Sequence, residues 1–144
     1  MGLTHYWTIK DNAKWRSLYD ALVADIQRIV NYVEEHPEWM GYSKSDSGPF
    51  LDVSFKDGVV VINDVEEGAE TVFLTREQEG FNFCKTNYCP FDVVVQAVLL
   101  RMDDRADGAV EVASDADWDE WVNGVDLVKT IFGTDVVRRP VGWH

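Results

Sequence analysis

Phe81-Asn82-Phe83-Cys84-Lys85-Thr86-Asn87-Tyr88-Cys89-Pro90-Phe91-Asp92 carries an alternating aromatic pattern straight through a thiol and a cation into a proline-led helix start. Alternation at period two puts Phe81 and Phe83 on one face of a strand and Cys84 and Thr86 on the other. Behind Pro90, a residue suited to the first helical position, Phe91, Val94, Val95, Val98 and Met102 recur at helical spacing. The valine run is also compatible with a buried strand; helix is preferred because valine costs little in a helix. Residues 85–88 therefore sit where a strand turns directly into a helix.

Working outward, Trp15, Leu18, Tyr19, Leu22, Ile26, Ile29, Val30 and Val33 repeat at three and four residues, which predicts a long amphipathic helix. Asp11 or Asn12 caps its start and His36-Pro37 stops it. Ahead of it, residues 4–9 alternate as a strand, with His5, Trp7 and Ile9 on one side and Thr4, Tyr6 and Thr8 on the other. Past a polar loop at residues 41–49, strands are expected at 50–55, 59–63 and 71–75, joined by turns at Asp57-Gly58 and Glu66-Glu67-Gly68 as an antiparallel meander. Val59-Val60-Val61-Ile62 is apolar on both faces, as in a strand covered on both sides. A last strand at 109–113 precedes a helix capped by Ser114 or Asp115, whose buried stripe is Trp118, Trp121, Val122, Val125, Val128 and Phe132, and which ends at Gly133. The expected architecture is one α+β domain over residues 1–144, in the order β-α-β-β-β-β-α-β-α. It is a mixed or mostly antiparallel sheet of about six strands with helices packed on one face.

The 144 residues carry a formal charge of −13. Between Asp103 and Asp126 lie nine acids (Asp103, Asp104, Asp107, Glu111, Asp115, Asp117, Asp119, Glu120, Asp126) and one base, Arg105. Such a field repels phosphate backbones and attracts basic protein surfaces, which argues against direct nucleic-acid binding. No stretch nears the ~20 apolar residues of a membrane span, and the opening residues have no basic-then-apolar leader, so a cytoplasmic protein is expected. Cys84 and Cys89 are too close in sequence to staple a long loop, and His5, His36 and His144 are scattered, so reduced thiols are expected, with no metal and no cofactor. Asp115, Asp117, Asp119 and Asp126 imitate a calcium loop, but Glu120 stands where the loop's glycine is required.

Candidate ligand-binding residues cluster at the strand-to-helix junction. Lys85, Thr86, Asn87 and Tyr88 face a helix N-terminus that favours an anion, and His5, Tyr6, Trp7 and Cys84 join them if the first and fifth strands are neighbours. With those strands as neighbours, His5 also serves as a candidate base for Cys84 as a nucleophile. Tyr6 and Trp7 point to opposite faces of one strand, so one of them meets something other than the helical layer: a ligand, or a second copy in a homodimer. Asp103, Asp104, Asp107, Glu111, Asp115, Asp117, Asp119 and Glu120 are the candidate protein-interaction residues.

The opening Met1-Gly2-Leu3-Thr4-His5-Tyr6-Trp7, with Phe83-Cys84-Lys85-Thr86 and Pro90-Phe91-Asp92, resembles small uncharacterised proteins of tailed phages and prophages, in which tyrosine is expected where Leu3 stands. The resemblance covers two short blocks and implies an accessory role for a virus or mobile element, without a chemistry. Three functions follow in order of preference. The first is a non-enzymatic accessory protein that binds, and antagonises, a basic host protein through its acidic face. The second is a binder of a small anionic ligand or nucleotide near Lys85. The third is a thiol enzyme built on Cys84 and His5, which is set below the others because neither an oriented base nor an oxyanion site is signalled.

Overall fold

The alternation at residues 4–9 becomes β1 (Thr4–Ile9), with His5, Trp7 and Ile9 buried and Thr4, Tyr6 and Thr8 half-covered on the opposite face. The computed structural model describes residues 2–65, 69–141 and 143. The expected turn at Glu66-Glu67-Gly68, and His144, lie outside the described residues.

β1 is the centre of a three-stranded antiparallel sheet, flanked by β5 (Gly80–Lys85) and β6 (Val110–Ser114). β2 (Leu51–Ser54), β3 (Val60–Asp64) and β4 (Val72–Leu74) form a second antiparallel three-stranded sheet, the expected meander. The α+β class and the element order hold. The single six-stranded sheet does not, because among the described residues β4 and β5 form no ladder and meet near their ends. At one end, Gln78 N–H donates to Thr75 O (3.3 Å); at the other, Glu70 N–H donates to Lys85 O (2.8 Å) and the Glu70 carboxylate accepts from Lys85 N–H (2.9 Å). Between these ends the Gln78 amide donates to the backbone oxygen of Phe73 (3.1 Å) and to the side-chain oxygen of Asn82 (2.7 Å), so a side chain takes up a β4 carbonyl that a continuous ladder would pair.

α1 (Asn12–Glu35) starts where Asp11 Oδ1 accepts from Lys14 N–H (3.0 Å) and ends at His36. Its apolar stripe buries Trp15, Leu22, Ile26 and Ile29. Polar tips on the same helix tie it to the second sheet: Trp15 Nε1–H donates to Thr75 O (2.9 Å), and the Glu34 carboxylate accepts from Phe50 and Leu51 N–H (2.8 and 2.9 Å). α2 (Asp92–Ala106) is buried nearly all round, as its valine run requires, and packs against α1, β6 and α3 (Val122–Phe132). Asp25 of α1 is buried and bonded to Arg101 Nε (3.1 Å) and to the Arg105 guanidinium, which locks α1 to α2.

Three local expectations shift. α2 begins at Asp92 rather than at Pro90, because Pro90 lies in a turn closed by Asp92 N–H donating to Cys89 O (2.9 Å). Neither Ser114 nor Asp115 caps the last helix: a 3-10 turn, Trp118–Trp121, precedes α3, and the buried stripe is Trp121, Gly124, Leu127 and Val128 while Val122 is exposed. β3 is covered fully on one face only; Val61 is half-exposed opposite Phe73.

Candidate functional site

The register of β1 against β5 pairs His5 with Cys84, Tyr6 with Phe83 and Thr4 with Lys85. Since alternate residues face opposite ways, the eight junction candidates divide between two faces of the same sheet and do not converge on one pocket. His5, Trp7, Cys84 and Thr86 are buried on the inner side; Tyr6 and Lys85 lie on the outer side, with Asn87 and Tyr88 in the turn beyond.

On the inner side His5, Thr86 and the polar groups around them satisfy one another, whereas the indole N–H groups of Trp7 and of neighbouring Trp121 are buried without a hydrogen-bond partner among the described residues. His5, fully buried, contacts Asp92 Oδ1 through Nε2 (2.6 Å) and Ser114 Oγ through Nδ1 (2.7 Å), and its ring stands edge-on to Trp121 at 5.0 Å. An ionised Asp92 only accepts, so it takes the Nε2 proton; in the neutral ring Nδ1 then accepts from the Ser114 hydroxyl, whose oxygen accepts from Ala116 N–H (3.0 Å). The Thr86 hydroxyl also donates to Asp92 Oδ1, and Gln96 Nε2–H donates to Asp92 Oδ2 (2.8 Å). Gln96 Oε1 in turn accepts from Gly124 N–H (3.2 Å). A Cβ at Gly124 would lie 2.5 Å from Gln96 Oε1, so glycine is what lets α3 come this close to α2. Asp92 thus gathers β1, the junction and α2, and through Gln96 it reaches α3.

This cluster replaces two sequence expectations. The anion site at the junction is filled from within: Asp92 occupies the first turn of α2, and the Asp64 carboxylate accepts from Phe91 N–H (2.8 Å). Thr86 faces Asp92 rather than a ligand. Cys84 is His5's cross-strand neighbour, yet the His5 nitrogens are engaged by Asp92 and Ser114. The Cys84 thiol donates to Glu70 O (3.3 Å), and burial, aided by the Glu70 and Asp92 carboxylates, pushes it up to about 12. A nucleophilic thiol needs the opposite shift.

The outer side is open. Phe81 and Phe83 are 62% and 53% exposed. Tyr6 stacks on Phe81 with ring centroids 5.7 Å apart, and Phe81 lies 6.0 Å from Phe83, giving a row of three rings across two strands. A shallow concavity of about 340 Å³ is lined by Thr4, Tyr6, Glu70, Phe81, Phe83 and Lys85. The Tyr6 hydroxyl donates to Asp115 Oδ1 (2.8 Å), and that hydrogen bond, with burial, raises the Tyr6 hydroxyl above its ordinary value. Beyond the row, Asn87 and Tyr88 both adopt left-handed backbone (φ 52° and 59°), and Tyr88 is exposed.

The eight acidic candidates do not form one face. Asp103, Asp104 and Asp107 sit at the end of α2, and Glu111 follows on β6. All four have basic partners: Asp103 meets Arg138 (3.5 Å), Asp104 meets Arg101 (3.5 Å), Asp107 meets Lys14 (3.9 Å) and Glu111 meets Lys10. Asp103 is also buried, which raises its carboxyl against the opposing pull of Arg138. Asp115, Asp117, Asp119 and Glu120 lie at the opposite end of β6, roughly 15 Å away at the rise of an extended strand. These four are exposed, and none makes an ion pair among the described residues.

Sequence reasoning missed Asp92 and Ser114 as partners of His5, and Gln96 as the partner of Asp92. The one available signal was the spacing of Asp92 and Gln96, one helical turn apart on the same side of α2. Among the described residues no group of three or more His, Cys, Asp or Glu side chains is placed to hold a metal, and no helix is long and apolar enough to cross a membrane. Fold and surface together define a two-sheet α+β domain with a hydrogen-bonded His5–Asp92 cluster inside and an exposed aromatic row beside an acidic corner. No protein-family model, curated protein or solved structure matches the chain.

Proposed function

We propose that the protein is a non-enzymatic binding domain for a basic protein surface. The observation that carries this reading is the acidic corner Asp115, Asp117, Asp119 and Glu120, exposed and without basic partners among the described residues, in a chain of charge −13. Carboxylates already paired with Arg or Lys have little left to offer a partner, whereas unpaired ones focus a negative field outward. The inner polar cluster supports the same reading from the other direction: His5, Ser114, Asp92 and Thr86 bond to one another, and His5 is shut away from solvent. The resemblance of the opening block to phage and prophage proteins supports an accessory role for a virus or mobile element, and the acidic corner is what such a protein would use to antagonise a basic host protein.

The test is titration of the protein with a labelled basic decapeptide at low and moderate salt. Binding is expected at low salt, weakening steeply as salt rises, and weakening also in the combined Asp117→Asn, Asp119→Asn and Glu120→Gln variant. Absence of binding at low salt would overturn the proposal.

A further inference from the structure

We infer that the row Tyr6, Phe81 and Phe83 on the outer face of the β5–β1–β6 sheet is a docking shelf for arginine side chains of that basic partner; this rests on the proposed binding function and names where and how contact is made. Phe81 and Phe83 are each more than half exposed, Phe81 with Tyr6 stacked on one side, and aromatic faces carry the negative end of the ring quadrupole, which attracts a cation laid over them. A planar, weakly hydrated guanidinium stacks on such a face better than a compact, strongly hydrated ammonium. The chain already uses this pairing within itself: Arg28 and Arg101 lie over the Phe132 ring at 4.5 and 4.2 Å.

Charge fixes the sign of the occupant. Asp115 is hydrogen-bonded to Tyr6 at one end of the shelf and begins the acidic corner, and Glu70 lines the concavity. Lys85 is the one cation lining the concavity, and its backbone N–H is held by the Glu70 carboxylate. An arginine-bearing segment can therefore lie over the rings and extend towards Asp117, Asp119 and Glu120. A polyanion meets repulsion at both ends, and a second copy of the chain brings another −13.

The experiment compares two labelled decapeptides of equal charge, one alternating arginine with glycine and one alternating lysine with glycine, by fluorescence anisotropy at low salt. Wild type is expected to bind the arginine peptide about fivefold more tightly. The combined Phe81→Ala and Phe83→Ala variant is expected to lose that preference, and Phe83→Leu, which keeps an apolar side chain but removes a π face, to reduce it. The acidic-corner variant is expected to weaken both peptides alike and keep the preference. Equal affinity for the two peptides, or a preference that survives removal of both rings, overturns the shelf while leaving the basic-partner reading intact. Failure of both peptides to bind overturns both. A wild-type dimer in sedimentation that the double phenylalanine variant dissolves assigns the shelf to a second copy and overturns the inference.

Discussion

The two faces of β1 contrast in what they do with polar and aromatic groups. On the inner face His5 is fully buried, both its nitrogens have partners, and its ring rests edge-on against Trp121. On the outer face Tyr6 and its cross-strand neighbours Phe81 and Phe83 present rings to solvent, although folding alone would favour covering them. Polar chemistry turned inward and satisfied serves architecture; apolar surface turned outward and left open serves contact. The residues that look most catalytic in sequence belong to the first group, and the proposed docking shelf belongs to the second.

The largest expected effect tests the architectural side. Asp92→Ala removes the acceptor shared by His5, Thr86 and Gln96 and is expected to cost about 3–5 kcal/mol in chemical denaturation, as breaking a buried pair does. A cost below about 1 kcal/mol would mean the cluster is not the keystone of the inner face. Next, Gly124→Ala drives a methyl into Gln96 and is expected to cost about 1–3 kcal/mol through overpacking. The Gln96 Cβ lies as close as its amide oxygen, so the clash is confirmed as the cause if Gly124→Ala costs markedly less in a Gln96→Gly background than in wild type.

The third expectation concerns pH. Burial holds the Cys84 thiol at about 12, above its unfolded value, so the stability that comes with a protonated, buried thiol is complete below the unfolded value and is lost as pH climbs towards the folded one. Compared in a Cys89→Ser background, the advantage of Cys84 over Cys84→Ala should be flat below about pH 8. Above about pH 9 it should shrink by up to about 1.4 kcal/mol per unit. A gap that stays flat to pH 10 breaks the assignment. Asp103 has the same sign at the acid end: burial raises its carboxyl, so wild type should gain stability relative to Asp103→Asn as pH falls through the carboxylate range, read as converging or crossing melting curves.

The smallest effect on stability is the one that sharpens the contrast. Phe83→Ala removes a ring that is half in water, so its unfolding free energy is expected to stay within about 0.5–1 kcal/mol of wild type while arginine-peptide binding falls. A large stability loss there would make the outer row structural after all.

Much of this was legible from residue spacing. The element order, the long α1 with Asp11 as its cap, the antiparallel meander and the helical reading of the valine run all follow from periodicity, and each is present. Tyr6 and Lys85 were recognised as candidates, and the structure sets both beside the aromatic row. The joining of the two sheets was not legible, because it depends on Gln78 reaching Phe73 and Asn82, a side-chain substitution for backbone pairing that no period encodes. The acidic run also misled: consecutive acids in sequence are carried to two ends of β6, and one end is neutralised by Lys10, Lys14, Arg101 and Arg138.

What the chain's order of residues determined by itself is where each element begins, which side of it is apolar and what charge it carries, because those depend on neighbours two to four positions away. What only the tertiary structure decided is which groups meet. His5 finds Asp92 and Ser114 at separations of 87 and 109 residues, and those encounters depend on strand register and helix packing. They took the histidine and the helix N-terminus out of service as a site and left the aromatic outer face of the same strands open.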